Sequence, residues 1–212
     1  MTKKIGLLAI VVVAAIVLLR LSDKAPAVQV ACIGDSNTLG HGLFPKALFS
    51  YPSRLQALLG SSYQVHNYGQ AGASVFHPSE DRYSKGERFG ESIGRDHQYF
   101  IFMLGTNDSK NFSDDFFGEY QILIGKYNIS SDDKVLLCTP PNAFSDEWGI
   151  NNDLLSSSIH CNVVRLAEKK EYKLLDVNRI MNTANYFQDD GIHFNNDGAD
   201  HLARLLKKTL FD

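Results

Sequence analysis

The stretch Val28-Gln29-Val30-Ala31-Cys32-Ile33-Gly34-Asp35-Ser36-Asn37-Thr38-Leu39-Gly40 decides the architecture. Its first six residues form a short apolar run of the kind buried on both faces of a parallel sheet, and Gly34-Asp35-Ser36 breaks that run with a tight turn. A sharp turn there exposes the Ser36 hydroxyl and a backbone N–H together.

Working outward, the same strand-then-polar-turn pattern recurs. Gln64 to Asn67, Tyr99 to Leu104, Lys134 to Thr139 and Tyr172 to Val177 read as four further strands, with the uniformly apolar Tyr99 to Leu104 at the sheet centre. Between them lie helical spacings. Pro52 near a start, Leu55, Leu58 and Leu59 on one face and Gly60 as stop mark the first helix. Phe116, Tyr120, Leu123 and Tyr127 mark another, and Leu155, Ile159, Val163 and Leu166 a third. Leu202, Leu206 and Leu210 face inward on a last helix that Asn196 is expected to cap. Strands alternating with helices, without hairpin turns, predict a three-layer α/β/α sandwich around a five-stranded parallel sheet. Such sheets bind ligands beyond the carboxyl ends of their strands, which directs attention to the segments starting near Ser36, Gly69, Asn107 and Asn142.

The amino terminus reads differently. Lys3 and Lys4 precede fifteen uncharged residues, Ile5 to Leu19, and Arg20 follows. A basic start and an apolar run are export features, and the positive residues stay on the cytoplasmic side. Fifteen helical residues span about 22 Å against a hydrocarbon core of ~30 Å, so the segment spans only with the help of Leu21 and a snorkelling Arg20. Ala25-Pro26-Ala27 resembles a cleavage site, whereas the charged spacer before it suits an uncleaved anchor. Residues 1–27 are therefore expected to be a signal anchor or signal peptide contacting the membrane. Residues 28–212 form the domain, which lies outside the cytoplasm, tethered or secreted.

Composition narrows the partners. With 21 basic and 24 acidic side chains and a net charge of −3, no basic surface argues for nucleic acid. Cys32, Cys138 and Cys161 lack metal-type spacing and read as buried free thiols, with a Cys32–Cys138 bridge open if their strands are neighbours. The loop Gly69-Gln70-Ala71-Gly72 lacks the third glycine and the lysine of a nucleotide loop, and no Gly-x-Ser-x-Gly elbow surrounds Ser36. No cofactor or metal is called for.

Serine hydroxyl is a poor nucleophile at neutral pH, so a hydrolase needs a histidine base, a group that orients it and donors for the oxyanion. Asp190-Gly191-Ile192-His193, in a loop before the last helix, brings an acid and a base to the rim that carries Ser36. Four separated motifs then resemble those of the SGNH (GDSL-type) hydrolase superfamily: Gly34-Asp35-Ser36, Asn67-Tyr68-Gly69-Gln70-Ala71-Gly72, Gly105-Thr106-Asn107-Asp108 and Asp190-Gly191-Ile192-His193. The first block departs by one residue, Asn37 in place of the leucine of the family name.

The resemblance implies a flavodoxin-like fold, Ser36 as nucleophile, His193 as base and Asp190 as its orienting acid. It implies an oxyanion hole from the Ser36 and Gly72 N–H groups and the Asn107 amide. Gly69 competes with Gly72, and Asp189 with Asp190, although only Asp190 stands three residues before the histidine, as in the family. Asp108 is expected to support its loop. His41 and Trp148 are candidate substrate contacts, with structural packing as the alternative for each; His66, His77, His97, His160 and His201 read as surface histidines.

The expected activity is hydrolysis of a carboxylic ester, with a short acyl group on a sugar as the substrate, since the loops 74–94 and 140–152 resemble those of carbohydrate O-acetylesterases. A lysophospholipase or thioesterase is the alternative. A glycan-binding module without turnover is a third, though such proteins generally lose a residue of the site and none is missing here.

Overall fold

In the computed structural model, which describes residues 27–76 and 81–212, strand β1 (Val28–Gly34) is an interior strand of the sheet with its last five residues buried. It pairs in parallel with β2 (Tyr63–Gly69) on one side and β3 (Tyr99–Met103) on the other. The sheet then continues through β4 (Lys134–Cys138) to the three-residue edge strand β5 (Lys173–Leu175). The order β2-β1-β3-β4-β5, all parallel, is the flavodoxin-like arrangement expected from the sequence.

Alternation along each strand builds two cores. Ala31, Ile33, Phe100, Phe102, Val135 and Leu137 point to one face. There they meet Phe116, Tyr120 and Leu123 of α3 (Phe116–Gly125) and Val163 and Leu166 of α4 (His160–Lys170), with Phe89 of α2 (Glu87–Ile93) at the margin. Val30, Cys32, Ile101, Met103, Leu136 and Cys138 point the other way. Tyr51 and Leu55 of α1 (Tyr51–Leu59) and Leu202, Leu206 and Leu210 of α5 (Asn196–Leu210) cover that second face. Each leucine so buried contributes about 1.5–3 kcal/mol.

Several sequence expectations move. The cap of α5 is Asn195, whose side chain accepts from the Gly198 N–H at 2.9 Å, one residue before the position expected. The helix read through Leu155 carries a π-helical turn, Leu155–Ile159, which inserts extra backbone ahead of α4. Ser36 opens a one-turn helix, Ser36–Leu39, rather than a loop. Cys32 and Cys138 are buried and unbonded, because β3 separates their strands, and Cys161 is exposed on α4. His97 and His160 are buried rather than superficial; His160 Nε2 lies 3.0 Å from Asp176 Oδ2, tying α4 to the end of β5. His77 and the apolar run Ile5 to Leu19 lie outside the described residues, among which no helix is long and apolar enough to cross a membrane.

The turn after β1 is packed too tightly for any side chain at Gly34. A Cβ there would stand 2.6 Å from the Met103 carbonyl oxygen and closer still to the Thr38 hydroxyl. That close approach lets the chain turn out of the sheet at Gly34, two residues before Ser36.

Candidate active site

Four loops converge at the carboxyl edge of the sheet, on either side of the point where β1 and β3 send their chains in opposite directions. Asp35 caps the turn that follows β1, its Oδ1 accepting from the Asn37 N–H at 2.9 Å. That bond points the Ser36 side chain at the segment preceding α5. There His193 Nε2 lies 2.9 Å from Ser36 Oγ, and His193 Nδ1 lies 2.7 Å from Asp190 Oδ2. With the ring proton on Nδ1, facing the carboxylate, Nε2 is free to accept from the hydroxyl.

Asp190 is held from two sides. Its Oδ1 accepts from the N–H groups of Ile192 and His193, at 2.8 and 2.9 Å, while Oδ2 serves the imidazole. Partial burial by itself would raise this carboxyl; the His193 N–H, the imidazole and the Ile192 N–H outweigh it and hold it below the ordinary carboxylate value. Gly191 makes the turn possible. Its φ of 67° is left-handed, and a Cβ would press on the backbone of Phe144 and Ser145 at 3.1 Å. Asp189, by contrast, makes no such contact with His193.

Asn107 is buried after β3, and its Nδ2 donates to the Ala73 carbonyl at 3.0 Å, which leaves its second amide hydrogen unspent. The Gly69 N–H is taken by Asn67 Oδ1 at 2.9 Å, whereas no described residue accepts from the Gly72 N–H in the turn beyond. Of the two glycines, Gly72 is therefore the one with a free donor. Asp108 supports that turn: Oδ2 accepts from Val75 N–H at 3.0 Å and Oδ1 from Phe76 N–H at 2.7 Å. Burial pushes its carboxyl up to about 7 despite these donors, with neighbouring Asp35 adding to the rise. Burial raises the Asp35 carboxyl as well.

The two candidate contacts both touch the imidazole. The His41 ring centre lies 4.3 Å from that of His193, and the Trp148 ring centre 5.2 Å away on an indole that is 55% exposed. Core packing is thereby excluded for Trp148. Its backbone sits at φ 54°, a left-handed conformation that costs a bulky residue about 1–2 kcal/mol. Burial lowers the His41 imidazole pKa, and the nearby His193 and Lys46 lower it further.

Asn37 is the residue that sequence reasoning undervalued. Its Nδ2 donates to the Ile192 carbonyl at 3.2 Å and its Oδ1 accepts from the Phe194 N–H at 2.9 Å, so one buried amide clamps the backbone on both sides of His193. The visible signal was a polar amide where the family name has leucine. Gln188 adds a second clamp, donating through Nε2 to the His41 and Phe194 carbonyls at 2.7 and 2.9 Å. Among the described residues no group of three or more His, Cys, Asp or Glu side chains is arranged to hold a metal ion.

A hydroxyl, an imidazole and a carboxylate in hydrogen-bonded series, at the carboxyl rim of a parallel sheet, place the molecule in the serine-hydrolase class of architectures. The chain belongs to the GDSL-like lipase/acylhydrolase family, whose model matches residues 32–201. It is 29% identical, over 89% of its length, to an acetylxylan esterase of Xylanibacter ruminicola; it spans 44% of that relative, less than half. Its fold is similar to that of a lipase/acylhydrolase from Enterococcus faecalis, with a TM-score of 0.66, 21% identity, and coverage of 85% of this chain and 94% of that one. It is also similar to that of a carbohydrate acetylesterase family member from Sinorhizobium meliloti, with a TM-score of 0.65, 18% identity and coverage of 85% and 96%.

Proposed function

We propose that the protein is a serine carboxylic-ester hydrolase that removes short acyl groups, acetyl foremost, from carbohydrate. The observation that carries this reading is the unbroken series from Asp190 through His193 to Ser36, at 2.7 and 2.9 Å. The acetylxylan esterase relative supports the choice of acyl group and of sugar.

His193 Nε2 takes the Ser36 proton as Oγ attacks the ester carbonyl, and Asp190 stabilises the imidazolium that forms. The carbonyl oxygen, now negative, receives hydrogen bonds from the Ser36 and Gly72 N–H groups and the Asn107 amide. Collapse breaks the ester C–O bond, and the imidazolium returns its proton to the departing sugar oxygen. A water molecule then gives a proton to Nε2 and attacks the acyl-Ser36 carbonyl, and collapse frees the acid and restores the hydroxyl. His41 and Trp148, ringed about the imidazole, are read as substrate contacts.

We read residues 1–27 as the export leader or tether and 28–212 as the hydrolase domain. A tether would enter β1 at Val28, at the amino edge of the sheet, and a seven-residue strand carries the chain about 23 Å to the opposite edge, where Ser36 lies. The site then faces away from a supporting bilayer, which suits a polysaccharide. Phe44, 91% exposed, and Leu48, in the segment that follows His41, favour the second reading, a lipid-like ester.

Hydrolysis of p-nitrophenyl acetate against the butyrate and octanoate separates the two: the acetate is expected to be preferred, and preference for octanoate overturns the acetylesterase reading. A fluorophosphonate probe is expected to label the native protein and not Ser36→Ala. Failure to label the native protein refutes the hydrolase itself. Mass spectrometry of the mature amino terminus distinguishes tether from cleaved leader.

A further inference from the structure

The imidazole of His193 is only 3% exposed, and two exposed rings stand against it. The His41 ring centre lies 4.3 Å from that of His193, and the Trp148 ring centre 5.2 Å. Their own centres are 6.1 Å apart with the planes at 83°, too close together to lie on opposite faces of the imidazole. The two rings meet edge to face and make a corner on one flank of the base.

Both rings are held there by the main chain of the candidate site. His41 N–H donates to the Ser36 carbonyl at 3.0 Å, and the His41 carbonyl accepts from Gln188 Nε2 at 2.7 Å. The Trp148 segment is fastened through Phe144 N–H to the Gly191 carbonyl at 2.8 Å and through Ser145 Oγ to the Asp190 carbonyl at 2.5 Å. One ring thus keeps register with the nucleophile and the other with the acid–base loop, so the corner is formed before a ligand arrives. Merely covering the imidazole requires neither the exposure of Trp148 nor its left-handed backbone, a strain that is kept where a function uses it.

The chemistry of an ester decides which half of the substrate meets this corner. When the tetrahedral intermediate collapses, the bond from the acyl carbon to the alcohol oxygen breaks, its electron pair goes to that oxygen, and the proton comes from His193 Nε2. The alcohol oxygen must then lie within about 3 Å of Nε2, whereas the carbonyl oxygen turns to the Gly72 and Asn107 donors. It is the alcohol, and not the acyl chain, that comes to rest against the rings flanking the imidazole. No described residue hydrogen-bonds the His41 ring nitrogens or the Trp148 indole N–H. His41, held below the ordinary histidine value by burial and by His193 and Lys46, is neutral near pH 7 and offers one N–H donor and one acceptor nitrogen. An indole face and free polar ring edges suit a cyclic alcohol that carries further hydroxyls.

We infer that His41 and Trp148 form the alcohol subsite, the wall that holds the sugar ring of the departing alcohol beside His193, and that they set selectivity for the alcohol rather than for the acyl chain. The inference rests on the esterase reading above and deepens it by assigning the half of the ester that these rings hold.

Kinetics on methyl β-xylopyranoside monoacetate and ethyl acetate, with the butyrates of the same two alcohols, read the halves separately. The native protein is expected to favour the xyloside over the ethyl ester by about tenfold or more in kcat/KM. Trp148→Asn, which removes the ring but tolerates the left-handed backbone, and His41→Leu are each expected to erode that preference at least about threefold while the acetate-to-butyrate ratio stays within about twofold. Trp148 is the sole tryptophan, so in Ser36→Ala protein, which holds the ester without turning it over, the xyloside acetate is expected to change its emission saturably. Absence of the preference in native protein, equal losses on both alcohols in either variant, a shift in the acyl ratio instead, or silent emission overturns the subsite and leaves standing an esterase that hydrolyses ethyl acetate. Native protein that hydrolyses none of the four esters counts against the esterase reading instead.

Discussion

Replacing Asn37 by leucine, the residue of the family name, tests whether the clamp around His193 is what aligns the site. The substitution keeps the branched shape of the side chain but removes both side-chain bonds. The Ile192 carbonyl and the Phe194 N–H, in a segment where both residues are only 2% exposed, are left without the partners they now have at 3.2 and 2.9 Å. Each unsatisfied buried group costs about 1–3 kcal/mol, so the pair amounts to about 2–6 kcal/mol before the loop relaxes. Relaxation recovers part of that by letting the loop reach water, and that same movement carries His193 away from Ser36. A stability loss of about 2–4 kcal/mol is expected, against a total of about 5–15 kcal/mol for a domain. For a chain of this size it lowers the unfolding midpoint by roughly 5–15 °C. Displacement of the imidazole by about 1 Å is expected to lower kcat about 10²-fold. Urea unfolding and p-nitrophenyl acetate kinetics on the same preparation measure both. A variant within about 0.5 kcal/mol of the native stability and within about twofold in kcat would refute the clamp.

Asn107→Ala is expected to lower kcat about 10²–10³-fold with little change in KM, since the role proposed for the amide is to bind the developing oxyanion; a loss under about tenfold refutes the role. Asp108, pushed up to about 7, holds its proton in the fold between about pH 4 and 7, where the unfolded chain has released it. The folded state then binds more protons, so stability declines as pH rises through that window. Asp108→Asn is expected to flatten this decline in urea unfolding measured at stepped pH, leaving the part due to Asp35; an unaltered slope refutes the assignment. Gly34→Ala drives a methyl group to 2.6 Å from the Met103 carbonyl oxygen and should prevent β1 from pairing with β3. Circular dichroism of that variant is expected to show no cooperative unfolding, and a native midpoint would contradict the packing argument.

How far the sequence could be read depended on the range of the interaction behind each feature. Strand periodicity and glycine punctuation are local, so the five strands and their carboxyl-end loops were legible, with boundaries off by a residue or two because Leu104 and Thr139 leave the ladder while staying buried. Helix α2 escaped notice because Glu87–Ile93 has a single apolar anchor, Phe89, at the margin of the core. The π-helical turn before α4 was hidden because Leu155, Ile159, Val163 and Leu166 satisfy an ordinary helical spacing as well as the observed one. The site was legible through its four motifs. What was not legible were the links between them, which join residues about 33 to 157 positions apart and mostly depend on backbone groups that carry no sequence identity.

Those hidden links explain why the site tolerates such distant parts. The amide of Asn37 bonds the main chain at Ile192 and Phe194, Gln188 bonds it at His41 and Phe194, and Phe144 bonds it at Gly191. Main-chain partners exist whatever the side chains are, so each clamp needs only one suitable residue. The asparagine beside Ser36 thereby helps to hold His193, 157 positions from Ser36, within hydrogen-bonding reach of its hydroxyl. The depressed Asp190 carboxyl follows from the same logic, because two of the three donors that hold it down are N–H groups of the turn that Gly191 permits. Precision at the candidate site is a property of how these segments share backbone bonds, and the Ser36, His193 and Asp190 side chains inherit it.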